Sequence, residues 1–158
     1  MEREERDDIT VQSRFFEGIG KVYKMESVVD CPSVVLGRLF WEDVESQPSW
    51  NPNVMECQIF ERLNQKTEII YSTASEAAGG LISPRDFVTV RRRKRKGPLH
   101  LNISCSVDSK DIPVKPNVIR AHNGPGGWVM RDIPGEPNKS EFIWLLNTDL
   151  KVSSELLG

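Results

Sequence analysis

Residues 79–91 read Gly79-Gly80-Leu81-Ile82-Ser83-Pro84-Arg85-Asp86-Phe87-Val88-Thr89-Val90-Arg91, an order that predicts a turn followed by a β-strand. Pro84 disfavours helical geometry at the residue before it, so the chain enters this segment extended. From Phe87 to Val90 the residues are aromatic or β-branched, the types that suit a pleated sheet. If Phe87 faces inward, Arg91 does too, because side chains an even number of positions apart on a strand share a face. The segment therefore predicts a strand that directs an arginine at the interior.

The rest of the chain shows mostly the two-residue period of β-strands. The clearest example runs over residues 99–107, where apolar residues such as Leu99 and Leu101 alternate with polar ones such as His100. We expect the apolar set to be buried and His100 to face solvent. Further strands are predicted over residues 9–15, 21–29, 54–62, 67–73, 87–94, 118–122, 128–132 and 141–150. Residues 75–81 are predicted to form a loop or a short turn of helix, and residues 108–116 an irregular connection.

One helix is predicted early in the chain. Asp30 or Ser33 can cap its start, the helix is expected to continue to about Val44, and Pro48 ends the region. Many strands separated by turn signals, together with a single helix, indicate one curved antiparallel sheet of the α+β class.

The composition describes one globular domain. The 158 residues are 38% hydrophobic and 28% charged, values typical of a folded soluble protein. No apolar run approaches the ~18 residues that a membrane-spanning helix needs, and from the charged residues that follow Met1 we expect no secretory signal. Cys31, Cys57 and Cys105 are odd in number and far apart, which favours reduced thiols over a disulfide framework.

A run of six basic residues extends from Arg91 to Lys96. The favoured interpretation is a solvated strand end before the turn at Gly97 and Pro98. A contact with an anionic membrane surface is the second interpretation. A nuclear-import or nucleic-acid patch is the third, and it is the weakest of the three because no aromatic residues alternate with these charges.

Residues 79–91 resemble the GG-x-x-SPRDFV-x-VR signature of the START lipid-transfer family. Two further stretches resemble the same family in the same order. They are Trp50-Asn51-Pro52-Asn53, and Asn123-Gly124-Pro125-Gly126-Gly127 together with Trp144-Leu145-Leu146-Asn147-Thr148-Asp149-Leu150-Lys151. The similarity is strongest to the sterol-binding branch. It implies a helix-grip fold, in which a curved antiparallel sheet surrounds an apolar cavity.

The resemblance also predicts how the chain is divided. We expect a charged N-terminal segment over residues 1–7, a START-like lipid-binding domain over 8–151 and a divergent tail over 152–158. Family members carry a helix before the first strand and a long amphipathic helix after the last, which roofs the cavity. A helix of 20 residues is ~30 Å long, so the short tail leads us to expect a chain truncated at both ends that lacks this lid.

The resemblance places four candidate ligand-binding residues, which are Asn51, Ser72, Arg91 and Asn123. Arginine stays charged in proteins, so a buried Arg91 needs a partner. In the sterol carriers the position that matches Ser72 is an acid that pairs with this arginine. Serine brings no charge, and we expect Glu76, four positions further on, to supply the missing acid.

Each candidate also has a structural interpretation. Arg91 could point to solvent at the head of the basic run, Asn51 could bond its own turn, and Asn123 lies in a turn by composition alone. Arg85 and Asp86 are interpreted as a charge pair that fixes the entry to the strand. The tryptophans are expected in the core or the cavity wall: Trp41, Trp50, Trp128 and Trp144.

The resemblance implies a non-enzymatic protein that binds a sterol or similar lipid and transfers it between membranes. The competing hypothesis is a truncated product that cannot enclose a ligand and acts through protein or membrane contacts. Only His100 and His122 could act as bases near neutral pH, and no CxxC, HExxH or phosphate-loop motif occurs. We therefore predict no catalysis, no metal and no cofactor, although the wider helix-grip superfamily includes enzymes.

The partners follow from the same reasoning. We expect a lipid ligand, transient contact with membrane surfaces, no nucleic acid and a monomeric state. The expected location is cytoplasmic, with peripheral binding to late endosomes or mitochondria implied by the resemblance.

Overall fold

The computed structural model describes residues 2–6, 8–76 and 82–152. Within these residues the chain forms twelve strands, one α-helix and one 3₁₀ helix. Their bounds are β1 Glu2–Arg6, β2 Ile9–Phe16, β3 Gly20–Val29, α1 Ser33–Trp41, the 3₁₀ helix Val44–Ser49, β4 Val54–Asn64, β5 Thr67–Ala74, β6 Arg85–Lys96, β7 Leu99–Ser106, β8 Ile119–Arg120, β9 His122–Asn123, β10 Gly126–Ile133, β11 Glu136–Leu146 and β12 Thr148–Asp149.

Some of the predicted features lie outside the described residues. The turn residues Gly79, Gly80 and Leu81 lie outside the described residues, as do residues 153–158 of the predicted tail. Residues 2–6, part of the charged segment predicted at 1–7, form the edge strand β1.

Ten strands form one large sheet. The order along it is β1-β2-β3-β11-β10-β7-β6-β5-β4, and the short β8 pairs with β6. Every pair along the main path is antiparallel, whereas β8 runs parallel to β6. Strands β9 and β12 form a separate two-stranded sheet. The predicted antiparallel sheet is confirmed, and its order brings β3 from the start of the chain beside β11 from the end.

Helix α1 packs on the concave face of this sheet. Its residues Leu36 and Phe40 lie one turn apart on the same face, and Leu36 joins Met130 and Phe142 in a buried apolar cluster. The helix ends at Trp41, three residues earlier than predicted, and residues 44–49 form a 3₁₀ helix that contains Pro48. Among the described residues, no helix combines the length and apolar character needed to cross a bilayer.

The polarity at the centre of β7 is the reverse of the prediction, whereas Leu99, Leu101 and Cys105 are half-buried. Asn102 is only 5% exposed, whereas the apolar Ile103 beside it is 62% exposed. His100, predicted to face solvent, is half-buried beside α1, and a Cβ placed on Gly37 would lie 3.0 Å from its Nδ1. Burial, with a smaller effect of Arg95, lowers the pKa of His100. The prediction was wrong at Asn102 because the concave face carries a cavity whose wall includes polar side chains, and at His100 because α1 packs beside it.

Two predicted strands are divided in the structure. The strand predicted over 141–150 becomes β11 and β12, separated at Asn147, whose Nδ2 donates to the carbonyls of Ile19 at 3.0 Å and Lys21 at 3.3 Å. The strand predicted over 118–122 becomes β8 and β9, separated at the buried Ala121. At both points a contact with a distant segment interrupts the strand that the local pattern predicts: Asn147 with residues 19 and 21, and the Ala121 N–H with the Asp86 carbonyl.

The segment over residues 108–116 is irregular, as predicted, and covers the convex face of β5 and β6. Ile112 packs there with Tyr71 and Val88 in a second buried cluster. The segment therefore packs against the face of β5 and β6 that carries Tyr71 and Val88.

Candidate functional site

A cavity of about 570 Å³ lies on the concave face of the sheet. All four residues predicted from the resemblance, Asn51, Ser72, Arg91 and Asn123, line it. They come from the loop after the 3₁₀ helix and from β5, β6 and β9, so the folded chain brings together positions that are far apart in sequence. Their contact with a ligand stays a prediction.

The wall of the cavity is mainly apolar and aromatic. Its large apolar side chains include Met25, Phe40, Trp50, Ile70, Phe87, Trp128, Phe142, Trp144 and Leu146. The rings of Trp50, Trp128 and Phe142 lie 5.5–5.7 Å from the Phe40 ring, within the range of aromatic contacts. The predicted cavity-wall role is confirmed for three tryptophans, and Trp41 is buried in the core at 3% exposure.

Arg91 points inward, as its strand parity predicts, and is bound by the protein itself. Its Nε donates to Glu68 Oε1 at 2.9 Å, and its Nη2 donates to the same oxygen. Nη1 and Nη2 also donate to the carbonyls of Phe40 at 2.7 Å and Trp41 at 2.9 Å. These carbonyls lie at the C-terminal end of α1, where helix carbonyls lack internal partners. Burial lowers the pKa of the Arg91 guanidinium, and the hydrogen bonds with Glu68 oppose that shift.

The acid that pairs with Arg91 is Glu68, and the prediction of Glu76 was wrong. Glu68 is the Cα partner of Arg91 across β5 and β6, whereas Ser72 lies opposite Phe87. Glu76 follows the end of β5 and is exposed. Glu68 and Ser72 lie four positions apart on β5 and therefore on the same face. Strand alternation alone makes both of them candidate partners of Arg91. The register of the hairpin, which the sequence leaves open, selects Glu68.

Arg85 and Asp86 do not form the predicted pair with each other. Arg85 donates to Ser83 Oγ at 2.7 Å and to the Leu150 carbonyl at 2.9 Å. Asp86 is fully buried and accepts from Arg120, with Nε–Oδ1 and Nη2–Oδ2 distances of 2.7 and 2.9 Å. Neighbouring residues on a strand point to opposite faces, so each finds its own partner. Both still fix the entry to β6.

Asn51 and Asn123 have the structural roles that composition suggested, in addition to lining the cavity. The Asn51 Oδ1 accepts a hydrogen bond from the backbone N–H of Asn53 at 3.1 Å. The Asn123 Oδ1 accepts from Thr148 Oγ1 at 2.7 Å, and its backbone N–H donates to Ser106 Oγ at 2.8 Å. Both side chains are therefore held in place by contacts within the protein.

The sequence analysis missed several polar residues of the cavity wall, among them Thr89, Asn102 and Ser104. The signal that could have found Asn102 and Ser104 is the polar parity of β7, which was assigned to solvent. Within residues 8–76 and 82–152, no group of three or more His, Cys, Asp or Glu side chains is arranged to hold a metal ion.

The buried Cys57 provides a chemical test of this packing. All three cysteines are free, and only Cys57 is buried. Burial raises the pKa of its thiol to about 11, although Arg91 opposes the shift. Thiolate is the reactive form, so we expect Cys31 and Cys105 to react with an aromatic disulfide reagent at pH 8 well before Cys57. The Cys57→Ser variant should give an unchanged native reaction and one thiol fewer in denaturant. Equal rates for all three native thiols would contradict the burial of Cys57.

Comparison with known proteins assigns the family. The family model described as "START domain" matches residues 2–154 of this chain. The chain belongs to the START domain family. This START domain is 39% identical to human steroidogenic acute regulatory protein, mitochondrial, over 141 residues, which cover 89% of the chain and 50% of that protein. The bovine protein of the same name is 38% identical over the same coverage. The chain thus spans about half the length of these curated relatives.

Solved structures establish the fold of this START domain. Human StAR-related lipid transfer protein 5 has a TM-score of 0.82 and 24% identity, with coverage of 98% of this chain and 74% of that one. The predicted helix-grip fold is confirmed. The Zhui aromatase/cyclase from Streptomyces sp. R1128 has a TM-score of 0.56 and 9% identity, with coverage of 85% and 70%. The fold alone therefore accommodates both lipid-transfer proteins and an enzyme.

Proposed function

We propose that this START domain binds a sterol or a lipid of similar size in the concave cavity and transfers it between membranes without chemical change. The observation that carries the proposal is the cavity itself. Its volume of about 570 Å³ lies within the range of small-molecule sites, which are mostly apolar with a few placed polar groups. The names and sequence similarity of the relatives support lipid binding and transfer as the function class.

The polar groups of the cavity support binding over catalysis. Among the described residues that line it, none is His, Cys, Asp, Glu or Lys, the side chains that most often act as bases or nucleophiles. Arg91, the one charged residue among the described residues of the wall, is engaged by Glu68 and by two backbone carbonyls. A cavity of this kind can select and hold an apolar molecule, but it offers little means to transform one.

Transfer requires contact with membranes, and the tip of the β6–β7 hairpin suits it. Lys94, Arg95 and Lys96 are exposed there, whereas Arg93 pairs with Glu42 at 2.5 Å. Exposed basic side chains are attracted to anionic lipid surfaces by about 1 kcal/mol each. We propose transient docking of a cytoplasmic monomer through this tip.

The proposal is tested by filling the cavity. Ser104 lines the cavity from β7, while Ile103 lies beside it on the opposite, exposed face. We expect Ser104→Trp to weaken the binding of a fluorescent sterol by about tenfold or more, since the indole occupies the ligand's space. Ile103→Trp, the matched control, should bind like the unmodified chain. Binding would be measured by fluorescence titration and transfer by the movement of the sterol between donor and acceptor vesicles.

The outcomes separate the two functional hypotheses. A cooperative thermal transition that shifts upward with added sterol in the unmodified chain, and less so in Ser104→Trp, supports lipid binding. A folded chain that binds no sterol or other lipid would reject the proposal and favour action through protein or membrane contacts. Equal loss of binding in both tryptophan variants would show that the ligand does not occupy this cavity.

A further inference from the structure

A second cavity, of about 500 Å³, lies between α1 and the neighbouring parts of the β4–β5 and β6–β7 hairpins. We call it the basic cavity, because five positively charged residues line it: Arg38, Lys66, Arg93, Lys94 and Arg95. Among the described residues of its wall, Glu42 is the one acid. The whole chain has a net charge of −2, so the basic cavity is a local concentration of positive charge on a slightly acidic protein.

These charges converge from three separate parts of the chain. Arg93 and Arg95 lie two positions apart on β6 and therefore share a face. The backbone N–H of Arg93 donates to the Lys66 carbonyl at 2.9 Å, which holds the β4–β5 turn beside β6. Arg38 belongs to α1. The basic cavity is thus formed by the fold and is more than the basic run at 91–96, whose member Arg92 is exposed and does not line it.

Most of these cations have no anion of the protein to neutralise them. Within residues 8–76 and 82–152, Lys66, Lys94 and Arg95 form no ion pair, whereas the other two basic residues of the wall pair with Glu42 and Asp43. Like charges that are gathered in one place repel one another. A bound anion would remove this repulsion and would gain charge-assisted hydrogen bonds in addition.

The remaining wall of the basic cavity strengthens this attraction. It includes the rings of Trp41 and Trp128 and the side chain of Leu101. The Arg93 guanidinium lies over the Trp41 ring, 5.1 Å from its centroid. Clefts that combine charges of one sign with walls of low dielectric constant focus the electric field and concentrate counter-ions. The geometry therefore favours a compact anion with more than one negative charge.

We propose that the basic cavity binds a terminal phosphate or pyrophosphate group, carried either by a soluble compound or by a lipid headgroup. A phosphate monoester carries about −1.5 to −2 charges at pH 7, so it neutralises more of these cations than a single carboxylate. Guanidinium groups also bond phosphate oxygens in pairs. The inference goes beyond the proposed function, since it requires no lipid in the concave cavity.

The test uses inorganic pyrophosphate and two double variants that remove the same charges. Lys66→Gln with Arg95→Gln removes a lysine and an arginine from the basic cavity. Arg92→Gln with Lys96→Gln removes the same two residue types from exposed positions of β6 that do not line it. Calorimetric titration in about 0.15 M salt limits attraction between distant charges to about 8 Å. We expect one pyrophosphate per unmodified chain, binding at least about tenfold weaker in the first variant and within about twofold in the control.

The two histidines show where the anion binds. His100 lines the basic cavity, whereas His122 lies on β9 and lines neither cavity. Proton NMR of the rings during the titration should therefore show a shift of the His100 resonances that saturates with pyrophosphate, while the His122 resonances stay in place.

Vesicles distinguish the two sources of the phosphate group. Phosphatidic acid presents a terminal phosphate, and phosphatidylglycerol presents a diester, so vesicles of the two lipids are compared at equal surface charge. Stronger binding to phosphatidic acid that the Lys66→Gln, Arg95→Gln variant loses and the control keeps would assign a lipid headgroup. Saturable binding of pyrophosphate without this preference would assign a soluble compound.

Two results would overturn the inference. Equal weakening in both double variants would show a general attraction between charges and no site. A folded, unmodified chain that neither binds pyrophosphate nor prefers phosphatidic acid would show that the basic cavity takes no phosphate group. Sterol binding in the concave cavity is measured in a separate titration, so it stands or fails independently of these results.

Discussion

Replacing Glu68 with leucine is expected to lower the free energy of unfolding by about 3–5 kcal/mol, the usual cost of removing one partner from a buried ion pair. Glu68 and Arg91 are 1% and 3% exposed. Without the carboxylate, the Arg91 guanidinium is a buried charge that keeps, among the described residues, the carbonyls of Phe40 and Trp41 and the Trp41 ring, whose centroid lies 4.3 Å away. Urea denaturation followed by circular dichroism would measure the change, with unaltered denaturant slopes as the check on two-state behaviour.

Arg62, which contacts the same Glu68 carboxylate, provides a matched control. Arg62 contacts Glu68 Oε2 at 3.1 Å, but its side chain is 60% exposed, so Arg62→Met should cost less than about 1 kcal/mol. The double variant Glu68→Leu with Arg91→Met should recover part of the loss, because an apolar pair can replace a buried ion pair. Recovery is expected to be incomplete, since two carbonyls of α1 lose their donor. A loss in Glu68→Leu no larger than that in Arg62→Met would show that the pair does not stabilise the fold.

Replacing Gly127 with alanine is expected to destabilise the chain by about 3 kcal/mol or more. A Cβ at this position would lie 1.9 Å from the Asn102 carbonyl oxygen, and the Gly127 φ of +144° is one that other residues rarely adopt. Overpacking against backbone costs about 1–3 kcal/mol, and the unfavourable backbone conformation adds a similar amount. Because β7 and β10 pair at this point, relief of the collision must separate two central strands. The same urea measurements would record the effect.

Gly135 provides the control that separates the two causes. It also has a positive φ, of +82°, but nothing lies within 4 Å of a Cβ placed on it. Gly135→Ala should therefore carry only the backbone cost, about 1–2 kcal/mol. Equal losses in the two variants would mean that the collision with Asn102 is relieved at no cost. A larger loss at Gly127 would show that the close contact of β7 and β10 holds the backbone of Asn102 in place.

The two stability predictions concern one region of the protein. Gly127 allows the close approach of β10 to the backbone of Asn102, and Arg91 connects β6 to the end of α1. Both Arg91 and Gly127 line the cavity, so the two pairs of variants test how firmly its wall is held.

Much of the fold could be predicted from local patterns. The β-branched run after Pro84 predicted β6, and its parity correctly directed Arg91 inward. Strand alternation and turn residues also located β2 to β5 within a few positions. These features succeed because the direction of a side chain on a strand depends on its position within that strand and on little else. The family motifs located a shared cavity for the same reason, since each marks a local element.

Contacts between distant segments could not be predicted in this way. The partner of Arg91 depended on the register of β5 against β6, which brings Glu68 rather than Glu76 opposite it. The partner of Asp86 was Arg120, 34 positions away, rather than its neighbour Arg85. The polarity was reversed at Asn102 and Ile103 of β7, because alternation shows that a strand has two faces but does not show which of them meets a cavity.

Local periodicity and motif residues were therefore sufficient to predict the class of fold, the family resemblance and the face of β6 on which Arg91 lies. The folded structure was needed to show which acid neutralises Arg91, where α1 ends and that Asn102 lies in the cavity wall. These depend on how strands align and which faces curve inward, and such alignment is set by the sum of contacts over the whole sheet. A pattern of a few residues cannot encode that sum.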